Sequence, residues 1–170
     1  VAVWTFFTAD PPADNLTAFA RILHRRWGKQ SNPYQERREE DIEACRFLVV
    51  DWKHFDFKDC IYRHYPSNNA PVVHKTVDLF RPVKEPETAL EDSLYQAIQG
   101  NLSPQDKIVL PLEAGGHIDH VLTKKIGSRF PNQKSYYPDF PYAGKLKSID
   151  ELHLEQGAAA TRFSLRAEEI

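Results

Sequence analysis

Two spacings of apolar residues alternate along the chain, and each switch between them marks an element. Val1-Ala2-Val3-Trp4-Thr5-Phe6-Phe7 reads as a strand that stops at the turn residues Ala9-Asp10-Pro11-Pro12. Leu16, Phe19, Ala20, Ile22, Leu23 and Trp27 then recur at helical spacing until Gly28. Ser31-Asn32-Pro33 opens a second helix through Cys45, with Ile42 and Cys45 facing inward and Arg37, Glu39, Glu40 and Glu43 outward. Trp52 to Phe57 alternates like a strand. Two prolines, Ser67 and an asparagine pair make Tyr65 to Pro71 a loop. Leu90, Leu94 and Ile98 predict a helix over Glu85 to Gln99, ended by Gly100 and Pro104. Lys107 to Leu112 is a buried strand, His117 to Phe130 a helix, Ser135-Tyr136-Tyr137 a strand, and the tail from Ile149 has some helical character.

Strand and helix in alternation predict an α/β fold with a parallel sheet and helices on both faces. With 170 residues, 41% hydrophobic and 27% charged, one domain spanning residues 1–170 can bury a sizeable core. A formal net charge of -2 and a pI near 6.4 argue against nucleic acid or an anionic membrane as partner. No apolar run approaches the roughly 20 residues of a membrane span, and the start lacks the pattern of a signal peptide. Cys45 and Cys60 fall on separate elements and make no disulfide framework, which favours a reducing compartment, the cytoplasm. The chain has no methionine and opens directly in a strand, which marks it as a piece of a longer protein unless methionines were left out of the sequence.

Candidate chemistry concentrates in Leu110-Pro111-Leu112-Glu113-Ala114-Gly115-Gly116-His117-Ile118-Asp119-His120. An apolar strand runs into a glycine turn, which delivers His-x-Asp-His at the strand's carboxyl end, the edge where open α/β sheets bind ligands. His117 and His120 are three apart, so on a first helical turn they share a face and can approach one metal ion or one substrate. The spacing alone leaves open an ordinary helix start. Arg37-Arg38-Glu39-Glu40-Asp41 fits a solvent-facing stretch with intrahelical ion pairs. Asp59 follows a strand at the same edge, where it could bind a sugar hydroxyl or cap a turn. His24, His54, His64, His74 and His153 lack regular spacing with carboxylates or cysteines and read as structural. Cys60 has no activating base nearby in sequence. No phosphate loop or G-x-G-x-x-G is present.

Six segments taken together resemble the LmbE-like family of zinc-dependent N-deacetylases, which includes the N-acetylglucosaminyl-phosphatidylinositol de-N-acetylases. They are Val3-Trp4-Thr5-Phe6-Phe7 with Pro11-Pro12, Leu16 to Gly28, Arg37-Arg38-Glu39-Glu40-Asp41-Ile42-Glu43-Ala44, Phe55 to Arg63, Gly116-His117-Ile118-Asp119-His120, and Tyr136 to Tyr142. The order and approximate spacing match from Val1 to about Tyr142. The resemblance implies a Rossmann-like three-layer sandwich with a mostly parallel sheet, its first strand upstream of Val1. It implies hydrolysis of an N-acetyl group from an N-acetylglucosamine-type conjugate, with one zinc ion. By matching positions His120 would be a zinc ligand, His117 would stabilise the oxyanion, Asp119 would orient His117, and Arg37 and Asp59 would bind the sugar.

The family's His-x-Asp-Asp sequence, which supplies two more zinc ligands and the general base, is absent; His54-Phe55-Asp56 imitates it within a strand that aligns elsewhere. A tyrosine that some members place near the histidine motif is replaced by Gly115. A chain that begins at Val1 is therefore expected to bind zinc weakly by itself and to turn nothing over. The alternative is a catalytically inactive relative that serves as a carbohydrate-binding or interaction module, and a weaker one a purely structural domain.

Overall fold

A computed structural model describes residues 1–28 and 32–145. The tail from Ile149 and His153 lie outside the described residues. Strand β1 (Ala2–Thr5) leads to helices α1 (Ala18–Arg26) and α2 (Pro33–Phe47) and then to β2 (Asp51–His54). Short 3-10 turns at Cys60–Tyr62 and Thr76–Phe80 precede α3 (Thr88–Gln99), β3 (Ile108–Pro111), α4 (Ile118–Gly127) and β4 (Lys134–Tyr137). Each helix predicted over the described residues is present; α1, α3 and α4 fall inside their predicted bounds, whereas α2 runs on to Phe47, beyond the predicted Cys45. Thr17 accepts from the Ala20 N–H to start α1, and Asn32 accepts from Tyr34 and Gln35 to start α2, with Pro33 in the first turn, where no N–H is needed.

The strands pair in parallel, as their connections through helices require, in two separate pairs. Ala2 lies opposite Asp51 in β1–β2, and Ile108 opposite Lys134 in β3–β4. Among the described residues no strand joins the pairs into one sheet. Helices pack on both faces of the β1–β2 pair and on one face of β3 among the described residues. At β1–β2, the Thr5 hydroxyl and the His54 Nε2 both reach Asp41 of α2, at 2.8 and 2.7 Å, while Trp4 packs towards α3 and α4. At β3, Leu110 is buried but Val109, on the opposite face, is 61% exposed.

Two apolar clusters form the core. The first joins Phe19 and Ala20 of α1 to Tyr34, Cys60, Ile61, Tyr62, Tyr65, Val72, Val73 and Ile118. The second joins Leu94 and Ile98 of α3 to Leu122, Ile126 and Phe130, with Trp4, Phe6 and Ile108 against it. Helix α4 therefore belongs to both: Ile118 at its start enters one cluster, Leu122 and Ile126 the other. It lies so close to β3 that a Cβ on Gly127 would stand 2.4 Å from a Leu110 methyl. This double anchorage fixes the amino-terminal end of α4. No helix among the described residues is long and apolar enough to cross a membrane.

Candidate active site at the start of helix α4

Between β3 and α4 the backbone turns through Glu113 and Gly116, both at positive φ, and the Gly116 N–H closes the turn on the Glu113 carbonyl at 2.8 Å. His117 follows as the helix cap. Its Nδ1 accepts the Asp119 backbone N–H at 3.3 Å, which places the ring proton on Nε2. Burial pulls the His117 pKa below the ordinary histidine value, against the nearby Asp119 carboxylate, so a neutral ring with an Nε2–H donor is the favoured form at pH 7. His117 and His120 stand 5.2 Å apart ring to ring, on one face of the first turn as their spacing predicts.

Asp119 points the other way. One carboxylate oxygen accepts from Arg63 Nη1 at 2.7 Å and the other from the Cys60 backbone N–H at 3.1 Å, and the residue is 5% exposed. Burial pushes the Asp119 carboxyl above its ordinary value, and the Arg63 guanidinium opposes that shift. Arg63 in turn holds Glu87 at 2.8 Å. Asp119 thus engages His117 through its backbone, and its carboxylate ties α4 to the turn that carries Asp59 and Cys60.

That turn is also where Asp59 sits, and there it takes the capping role considered for it. Its Oδ1 caps the 3-10 turn by accepting the Ile61 N–H at 3.1 Å, and its Oδ2 accepts the Tyr34 hydroxyl at 2.5 Å. Arg37 is exposed beyond Tyr34, its guanidinium 5.0 Å from the centre of the Trp27 ring and 5.2 Å from that of Tyr34. Asp59, His117, Asp119 and His120 are therefore gathered around one helix start, and Arg37 lies outside that group, reaching it through Tyr34.

Cys60 Sγ, His117 and Asp119 offer three potential metal-ligating atoms within 4.8 Å of one another. Chemistry argues against a metal there. Burial first, then Asp119 and Asp59, push the Cys60 thiol well above its ordinary value, and both Asp119 oxygens already hold donors, one of them cationic. His120 suits a metal better. Its Nδ1 lies 3.2 Å from the buried Asp139 carboxylate, the carboxylate-backed arrangement common among metal-bound histidines. The described residues supply this ligand without a complete set of three around it.

Tyr142 was not legible as a site residue. Its ring lies over Gly115, 6.2 Å from His117, 5.8 Å from His120 and 5.4 Å from Phe80. A Cβ at Gly115 would stand 2.4 Å from the Tyr142 Cγ, so the glycine makes the space that the ring fills. Asp139 was missed as well, although both residues lie in a segment that carries the resemblance; long-range contacts across 25 residues leave no periodic trace. His24 and His54 are structural as read: the former meets the Tyr62 hydroxyl at 2.5 Å and the latter meets Asp41.

The fold and these contacts define an α/β domain with a histidine-bearing helix start at a strand end. No family model matches the chain. It is 27% identical over 122 residues to 2'-N-acetylparomamine deacetylase of Streptomyces fradiae, covering 68% of this chain and 40% of that protein. Among solved structures it is similar to the zinc-inhibited form of teicoplanin deacetylase Orf2, with a TM-score of 0.76 at 23% identity, over 99% of this chain and 68% of that one. It is also similar to the A40926 pseudoaglycone deacetylase Dbv21, with a TM-score of 0.62 at 24% identity, over 92% and 58% of the two chains. The chain thus has the fold of these deacetylases and spans about 40% of the length of the curated relative it matches.

Proposed function

We propose that the chain is part of a zinc-dependent N-deacetylase that removes the acetyl group from an N-acetylglucosamine-type conjugate and releases acetate. The observation that carries this reading is the pairing at one helix start of a neutral, proton-donating His117 with a carboxylate-backed His120. The likeness to sugar-conjugate deacetylases supports it. When bound, zinc supplies a water acidified towards neutral pH and a positive charge for the acetyl oxygen.

His120 would hold the metal through Nε2, together with ligands that the described residues do not supply. His117 donates its Nε2–H to the carbonyl oxygen as that oxygen becomes an oxyanion, and stays neutral beforehand because burial keeps it so. Asp119 fixes His117 through its backbone N–H and fixes α4 through Arg63. Asp59 Oδ1 accepts from the Ile61 N–H and the Cys60 thiol and Oδ2 from the Tyr34 hydroxyl, so Oδ2 retains a lone pair that would accept a sugar hydroxyl. Arg37, whose guanidinium lies beside the Trp27 and Tyr34 rings, would offer its N–H groups to the same sugar.

Acetate released from an N-acetylglucosaminyl conjugate, in the presence of zinc, by the longer deacetylase of which this chain is proposed to be part tests the proposal. His120→Ala and His117→Ala are each expected to lower kcat by about 10²- to 10³-fold, and full turnover by His120→Ala contradicts it. The carbohydrate-binding reading draws on one observation, that no complete set of three ligands surrounds His120 among the described residues. Saturable binding of the conjugate with no acetate release, in wild type and His120→Ala alike, is its signature.

A further inference from the structure

We propose that Asp139 is the positioning residue of this site: its buried carboxylate fixes His120 as the Nδ1–H tautomer and so reserves Nε2 for the metal. The inference rests on the metal-binding reading of His120 given above.

Asp139 is 1% exposed, among the most buried polar residues described. One oxygen, Oδ2, accepts the Ala114 N–H at 3.0 Å and stands 3.2 Å from His120 Nδ1. The other, Oδ1, is buried without a hydrogen-bond partner, and so is His120 Nδ1. No lysine or arginine among the described residues pairs with Asp139. A buried carboxylate that faces no cation but one imidazole is costly for stability alone, so its presence calls for an explanation in the site.

The surrounding chain holds Asp139 in place from two sides. Ala114 belongs to the turn that delivers the histidines, and the Asp139 carbonyl accepts the Ala143 N–H at 2.8 Å, which holds the segment that brings Tyr142 over Gly115. Donation of the His120 Nδ1–H to this carboxylate, whose Oδ2 is 3.2 Å away, would give the buried nitrogen its partner. Which nitrogen of a histidine binds metal is set by the hydrogen bond that the other makes. The His120 side chain is 33% exposed, so its outer edge remains accessible.

The test is the ¹⁵N-imidazole spectrum of the metal-free chain, followed by zinc affinity. Wild type is expected to show His120 protonated at Nδ1 and bare at Nε2. Asp139→Ala is expected to move it to the Nε2–H form and to weaken zinc binding about 10- to 100-fold. Asp139→Asn, which keeps an acceptor oxygen, should retain the wild-type tautomer and lose only a few-fold in affinity. A wild-type His120 already protonated at Nε2 overturns the proposal, and decides it even if Asp139→Ala does not fold. So does an Asp139→Ala chain that melts lower yet keeps tautomer and zinc affinity, since Asp139 would then be a strut for Ala114 only. A fixed Nδ1–H tautomer in a longer protein that contains this chain and still takes up no zinc upholds the positioning and sinks the deacetylase reading instead.

Discussion

Gly115 and Tyr142 show how a residue without a side chain can shape a site. The ring of Tyr142 occupies the volume where any Cβ at position 115 would lie, 2.4 Å from its Cγ, and from there it touches both histidines. Gly115→Ala must therefore push the ring out of place. The expected result is a loss of about 10- to 100-fold in kcat/KM, with little added loss when Gly115→Ala is combined with Tyr142→Ala; the double-mutant cycle measures that coupling. Equal losses in both backgrounds would mean that the glycine acts through the turn and not through the ring. At this scale the sequence was informative where chemistry is local. His117 and His120 share a face because they are three apart, and the structure places them so. The contact of Asp139 with His120 and that of Tyr142 with Gly115 depend on where the chain returns after β4, which no spacing within one element encodes.

Among the elements, α4 does most to assemble the site, and it is held at its start by a buried ionic chain. Arg63 bridges Asp119, in the first turn of α4, and Glu87, just before α3, and is 7% exposed. Burial works against its charge, yet the two carboxylates outweigh that and keep it charged beyond the ordinary arginine value. Replacing Arg63 with Met strands two carboxylates, so urea unfolding should report a loss of about 3–5 kcal/mol. A loss below about 1 kcal/mol, the range of an exposed pair, would show that the chain is solvated. Helix existence was legible throughout, since α1, α3 and α4 each repeat an apolar face. The 3-10 turn at Thr76–Phe80 was not, because its residues are mostly exposed and its capping comes from Asp78 accepting the His74 and Lys75 N–H groups. Strand ends were drawn too long: Phe7 leaves the parallel pairing and makes an antiparallel bridge to Asp56 instead.

For the molecule as a whole, the α/β class and the parallel pairing followed from alternating periods, whereas the single sheet did not. β1 pairs with β2 and β3 with β4, and the two pairs share a core through α3 and α4 without sharing a strand among the described residues. The site lies where the two apolar clusters meet, at the amino end of α4, so its geometry depends on both. Its central claim is that His120, and not the buried trio of Cys60, His117 and Asp119, receives the metal. Zinc titrated into the ¹⁵N-histidine-labelled chain measures this most directly. The account predicts that the Nε2 resonance of His120 shifts to a metal-bound position while the His117 ring keeps its Nε2 proton. A shift at His117 with loss of the Cys60 thiol proton, or no change at His120 under saturating zinc, would contradict it.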